Sequence, residues 1–330
     1  MKLNIILYII MCVLSACSAK SGEANAASNN PSGDSTTIAA APVFDADSAW
    51  MFVKKQTDFG PRVSGSEGNR LCREWIIAKL HQFGADTVTT QSAPLTAFNG
   101  DKFTAVNIFA QYNKTADSRI LLLAHYDTRP WADEDPDTAN HNKPISGAND
   151  GGSGVAVLLE IARQLGMESP AVGVDLLFVD AEDYGNSGGI DENSWALGTQ
   201  YWVKHIPYDR NSLPRFGILL DIVGGLNAKF YREYHSEKYA SRINTKVWTA
   251  ARACGFTSRF VNEQYGAVTD DHIHINAAGI PCIDIIECNN PATGSFPPTW
   301  HTLADDINSI DRESLRAVGT TVINVIRNEK

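Results

Sequence analysis

Acids and histidines in this sequence recur at one kind of place, directly after short apolar runs. His125-Tyr126-Asp127 follows the run at 120–124, Asp180-Ala181-Glu182-Asp183 follows 174–179, and Asp221 follows Gly217-Ile218-Leu219-Leu220. Asp150 lies in a glycine-rich turn, Gly147-Ala148-Asn149-Asp150-Gly151-Gly152-Ser153-Gly154, that opens a helical pattern. Asp270-Asp271-His272 and Trp300-His301-Thr302 occupy loops nearer the C-terminus. Carboxylates brought together repel unless a cation neutralises them. Oxygen and imidazole donors without thiolate suit a catalytic Zn²⁺, which takes three protein ligands and keeps one position open. Any one of these acids alone reads as a solvated loop end or a helix cap, and Asp150 stands where a cap would. The repeated placement is what points to a metal. The glycine-rich turn makes a poor phosphate cradle, because its centre is acidic and it carries no Lys.

The elements that must position these groups alternate. Apolar runs at 105–110, 120–124, 174–179, 217–222 and 282–286 are expected to be strands. Several are apolar throughout, as in strands covered on both faces of a largely parallel sheet. Helical spacing is found at 71–83, where Leu71, Cys72, Trp75, Ile76, Leu80 and Phe83 share a face, and at 155–165, 199–205, 240–254 and 312–327. Strand and helix in alternation predict an α/β single domain, a central sheet flanked by helices. In such sheets sites form at the carboxyl ends of the strands, where these acids sit. No GxGxxG follows the first strand, and there is neither a P-loop nor a GxSxG elbow, so nucleotide binding and serine-hydrolase chemistry lack support.

The 330 residues, 43% hydrophobic and 20% charged, describe an ordinary folded protein rather than a disordered one. Past the N-terminus no apolar run reaches about 18 residues, which excludes a multi-span membrane protein. A net charge of −10 argues against nucleic acid as a partner. At the N-terminus Lys2 precedes an apolar stretch ending in Leu14-Ser15-Ala16-Cys17. Residues 1–16 are expected to be a secretory signal, and the ending resembles the bacterial lipobox, which would make Cys17 the lipid-bearing residue. Residues 17–42, rich in Ser, Ala, Asn and Gly, read as a flexible linker before a catalytic domain at 43–330. The expected location is therefore the periplasm, tethered by lipid to a bacterial membrane, and Ser18 is compatible with the outer one. Cys72, Cys254, Cys282 and Cys288 remain after export; disulfides and buried free thiols both stay open.

Taken in order, His-x-Asp, Asn-Asp-Gly-x-Ser-Gly, Asp-Ala-Glu-Asp, Leu-Asp and His-Thr resemble the zinc-dependent exopeptidases of the bacterial aminopeptidase family, and Phe59-Gly60-Pro61-Arg62 fits them too. The resemblance implies a mixed, mostly parallel sheet flanked by helices. It implies that Asp150, Asp183 and His301 hold one zinc. His125 and Asp221 would join Asp150 around a second metal in two-metal members, and Glu182 would be the general acid/base.

Within that family several details are more similar to glutaminyl cyclases. Asp270-Asp271-His272-Ile273, Trp300-His301-Thr302 followed by Asp305-Asp306, and Leu220-Asp221-Ile222-Val223-Gly224 match cyclase patterns. The segment 184–197 interrupts the aminopeptidase pattern with a loop bearing Trp195. Departures are Asp183 where animal cyclases have Glu, Asp284 where they have His, and a longer loop at 289–298. The resemblance implies one zinc per chain and N-terminal glutamine as substrate, closed to pyroglutamate with loss of ammonia. Glu182, Asp221 and Asp270 would form the catalytic network, and Trp195, Phe296 and Trp300 the pocket wall. A monomer is the simplest expectation. The alternatives are a two-metal aminopeptidase and a catalytically silent binding lipoprotein; intact Glu182, Asp150, Asp183 and His301 speak against the last.

Overall fold

In a computed structural model of the chain, residues 43–330 are described apart from Ile190 and Arg210; the signal and linker expected over 1–42 lie outside the described residues. The apolar runs become strands of a six-stranded sheet. In chain order the strands are β1 (Thr87–Thr96), β2 (Lys102–Tyr112), β3 (Arg119–His125), β4 (Gly173–Val179), β5 (Gly217–Leu220), β6 (Phe230–Arg232), β7 (Phe260–Gln264) and β8 (Cys282–Ile285). The large sheet has the order β1-β2-β4-β3-β5-β8, while β6 and β7 pair separately. Strands β4, β3, β5 and β8 run parallel, and β2 and β1 continue the sheet antiparallel. The expected mixed sheet flanked by helices is what is found.

The helices are α1 (Ala46–Thr57), α2 (Glu67–Gln82), α3 (Gly152–Met167), α4 (Leu197–Lys204), α5 (Tyr234–Ala253), α6 (Asp271–Ala277) and α7 (Arg312–Asn328). Alternate residues of the central strands serve opposite layers. Ile120, Leu122 and Ala124 pack with Leu176 and Phe178 under α1, α2, α3, α5 and α7. Leu121, Leu123, Leu177, Val179 and Leu219 pack against Trp202 of α4 and Ile275 of α6. Both faces are covered, which is why these strands carry no polar alternation.

Several boundaries differ from the sequence expectation. The runs at 217–222 and 282–286 end as strands at Leu220 and Ile285. Ile222 takes φ +48°, a left-handed conformation no strand can hold. The helix expected at 240–254 begins at Tyr234, capped by Glu233. It passes through a non-helical Ala240 (φ −140°, ψ 36°), and that kink resets the apolar spacing. Strand β1 was not expected, because its Thr-rich sequence buries only Ala93 fully and shows no apolar run. Asp150 is not a helix cap: Gly151 holds that place, and no side chain caps α3. The four described cysteines are free thiols.

Candidate metal centre and active site

Register brings the acidic segments together. His125 pairs with Val179 across β3 and β4, and Leu123 pairs with Leu219 across β3 and β5. The residues that follow therefore leave the sheet at one edge. Two buried aspartates then fix the loops. Asp127 accepts hydrogen bonds from the backbone N–H groups of Glu182 and Asp183, at 3.1 Å each. Asp305 accepts from those of Asn149 (2.8 Å) and Asp150 (3.1 Å).

Backbone strain is concentrated at the same turns. Ala181, Ala196, Ile222 and His301 all have positive φ, between 48° and 58°. Non-glycine residues there cost roughly 1–3 kcal/mol each and persist only when the surroundings dictate them. Glycine is required at 151 and 154. A Cβ on Gly151 (φ +71°) would stand 2.9 Å from His125 Cε1, and one on Gly154 would stand 2.1 Å from the Leu220 carbonyl oxygen. That close approach seats α3 against the end of β5 and sets Asp150 opposite Asp221.

Donor atoms of Asp150, Asp183 and His301 lie within 4.8 Å of one another. His301 Nε2 is 3.2 Å from Asp183 Oδ1 and 3.5 Å from Asp150 Oδ2. A second ligand-type group, His125, Asp150 and Asp221, shares Asp150, with His125 Nε2 3.1 Å from an oxygen of each aspartate. Both ligand sets suggested by the sequence are thus assembled.

The first set fits a divalent cation. Asp183 is buried, yet neither carboxylate oxygen has a hydrogen-bond partner. Such a group calls for an explanation, and a metal supplies one. Burial and then the Asp150 charge push the Asp183 carboxyl well above the ordinary range. Burial, reinforced by the Arg129 guanidinium, lowers His301 to about 3, so its imidazole is neutral, as a metal ligand must be.

Over these ligands opens a cavity of about 500 Å³, lined by all nine residues expected to act: Asp150, Glu182, Asp183, Trp195, Asp221, Asp270, Phe296, Trp300 and His301. Its aromatic wall is a continuous stack. Trp195 faces His301 at 6.1 Å and 17°, Trp300 faces His301 at 3.6 Å and 21°, and Phe296 faces Trp300 at 4.4 Å and 29°. Glu182 is 8% exposed. Burial first, then the Asp270 charge, raises its carboxyl well above the usual range. Burial and the Asp221 and Asp271 charges do the same for Asp270. No direct hydrogen bond links Glu182, Asp221 and Asp270 among the described residues, so their coupling is through charge.

Three site features were not read from the sequence. Asp127 and Asp305 hold the site loops through backbone N–H groups, which no residue spacing reveals. Arg129, buried beneath the site, donates to the carbonyls of Asp183 and Gly185 at 3.2 Å each and forks onto Asp133 at 2.6 Å. Asp180, part of the acidic run, turns away: it accepts from Ser64 Oγ, Asn69 Nδ2 and the Val106 N–H, tying the sheet to α2.

A fold of this topology with acids and imidazoles at its strand ends defines a class, and the model of Peptidase family M28 matches residues 107–326; the chain belongs to that family. Among similar solved structures is Bacteroides thetaiotaomicron glutaminyl cyclase bound to N-acetylhistamine. It is 50% identical, with a TM-score of 0.84 over 88% of this chain and 100% of that one. A Zn-dependent exopeptidase from Parabacteroides distasonis is 45% identical, with a TM-score of 0.84 and the same coverage, 88% and 100%. Bovine glutaminyl-peptide cyclotransferase is 23% identical over 79% of this chain and 77% of its own length. The resemblance read from the motifs is borne out, and the chain is an enzyme of this zinc-dependent family.

Proposed function

We propose that the protein closes N-terminal glutamine of peptides and proteins to pyroglutamate, releasing ammonia, with one zinc held by Asp150, Asp183 and His301. The observation that carries this reading is the aromatic stack of Trp195, His301, Trp300 and Phe296 over the ligands. Cyclisation consumes no water and needs a short side chain folded back on its own amine, which a flat apolar wall favours. When bound, zinc supplies Lewis-acid polarisation of the substrate γ-carbonyl. Glu182 takes a proton from the α-amine as nitrogen bonds to the side-chain carbonyl carbon (Cδ), and gives it to the departing amide nitrogen as the bond between Cδ and that nitrogen breaks. Asp270, with Asp221 behind it, holds the proton affinity of Glu182 high enough for both roles. The wall restricts the substrate to the reactive conformer, a large share of any such acceleration.

A second reading, a two-metal aminopeptidase, is favoured by the His125–Asp150–Asp221 group. A glutamine-initiated peptide distinguishes the two. Release of ammonia with the matching mass loss is expected; release of free amino acids without it overturns the cyclase reading. About one zinc per chain accompanies the first outcome and about two the second.

Export and lipid attachment belong to the same reading, supported by Leu14-Ser15-Ala16-Cys17 and the linker after it. Radiolabelled palmitate should enter the intact protein and not Cys17→Ser. Labelling of both removes the anchor.

A further inference from the structure

Asp270 belongs to a third group of ligand-type side chains, apart from the two that share Asp150. Asp270, His272 and Asp284 each offer a donor atom, and the three atoms lie within 4.8 Å of one another. Asp270 caps α6, His272 stands in its first turn, and Asp284 interrupts the apolar strand β8. Asp284 and His272 are wholly buried, and Asp270 is 3% exposed. A carboxylate in the middle of a buried strand costs several kcal/mol unless something neutralises it.

Four polar atoms of this group are unpartnered. Asp270 Oδ2, His272 Nδ1 and both Asp284 carboxylate oxygens are buried without a hydrogen-bond partner. His272 Nδ1 is 3.9 Å from Asp284 Oδ2, too far for a hydrogen bond. Two atoms bound to one tetrahedral zinc stand roughly 3.4 Å apart, so a small closure would suffice.

The other ring nitrogen is fixed. His272 Nε2 lies 3.2 Å from Glu233 Oε2. Glu233 is itself held by the N–H groups of His235 (2.8 Å), Ser236 (2.6 Å) and Val268 (3.1 Å). In the tautomer that donates Nε2–H to Glu233, Nδ1 presents its lone pair to the two aspartates. A carboxylate gripping one imidazole nitrogen while the other faces acids is how proteins orient a metal-bound histidine. Two aspartates and a neutral imidazole also balance the charge of a dication.

We propose that Asp270, His272 and Asp284 form a second divalent-cation site, distinct from the Asp150–Asp183–His301 centre, suited to zinc and entered from the cavity through Asp270. Filling it withdraws Asp270 from catalysis, so excess zinc inhibits. The inhibition rests on the role given to Asp270 above; the site does not.

Protein carrying its tight zinc, dialysed against rising free zinc, tests this by metal content and by anomalous diffraction at the zinc edge. One additional ion per chain is expected, with its peak between Asp270, His272 and Asp284. Asp284→Asn should lose that ion, keep the first, and need at least about tenfold more zinc for the same inhibition. The absence of an additional peak, or a peak among His125, Asp150 and Asp221 instead, overturns the site; so does an additional ion retained by Asp284→Asn. Should that variant not fold, the position of the peak in the unaltered protein decides. An ion at the site in a protein that releases no ammonia would retain the site and remove the cyclase reading.

Discussion

The Arg129 guanidinium lies 4.9 Å from the centre of the Trp195 ring while donating to the backbone carbonyl of Asp183. One buried cation thus sets both the pocket wall and the loop that presents Asp183. It also stands 5.3 Å from the Trp131 ring and is paired with Asp133. Arg129→Met removes the fork and leaves buried acceptors unpaired, at a cost of about 3 kcal/mol or more. Thermal unfolding should occur several degrees lower, and KM should rise more than kcat falls. Arg129→Lys, which keeps charge without the fork, should recover only part of each.

Asp127 supports the site loop by accepting from Glu182 N and Asp183 N. In Asp127→Asn the amide group turns an N–H toward one of these donors, and the loop must shift. Metal affinity, measured by competition with a chelator, should weaken about 10- to 100-fold, the usual penalty for disturbing a ligand's support. Unchanged affinity would show that the loop is held without it.

Neighbouring acids should separate cleanly. Glu182→Gln is expected to reduce turnover by about 10²- to 10⁴-fold with zinc content unchanged, since its role is to carry a proton. Asp183→Asn is expected to lose the zinc. Ammonia release and metal content measured on both variants check the assignment; loss of metal from Glu182→Gln would exchange the two roles.

Glu287 supplies a pH signature of stability. It is buried, accepts from Asn290 Nδ2, and leaves Oε2 unpartnered. Burial raises its carboxyl from 4.5 to about 7. The folded state therefore holds this proton more tightly than the unfolded one. Its contribution is complete below about pH 4.5 and is lost as pH rises through 7. Glu287→Gln keeps the Asn290 bond and removes the charge. The variant should match the parent near pH 5 and exceed it near pH 8.5, by up to roughly 3 kcal/mol. Denaturant unfolding at the two pH values reads the difference; equal curves at both would contradict it.

Much of the site is legible in the sequence because its chemistry is local. Unbroken apolar runs mark strands buried on both faces, and the residue after such a run must emerge at the sheet's edge. His125, Asp180 to Asp183 and Asp221 were thereby placed together from one dimension. The glycine pattern around Asp150 marked a tight turn at a helix start, suited to a cation rather than to a phosphate. What position alone could not carry was direction. Asp180 and Asp183 are three residues apart, yet one points into the sheet's support and the other into the cavity, because Ala181 turns left-handed between them. Strand β1 had no apolar signal, since pairing with β2 rather than burial makes it a strand. The atoms through which Arg129, Asp127 and Asp305 hold the site loops are backbone atoms, identical at every residue and therefore silent in sequence. Residue types determined which chemistry was possible; the crossing of helices and strands decided which acids meet, because only packing fixes where a side chain points.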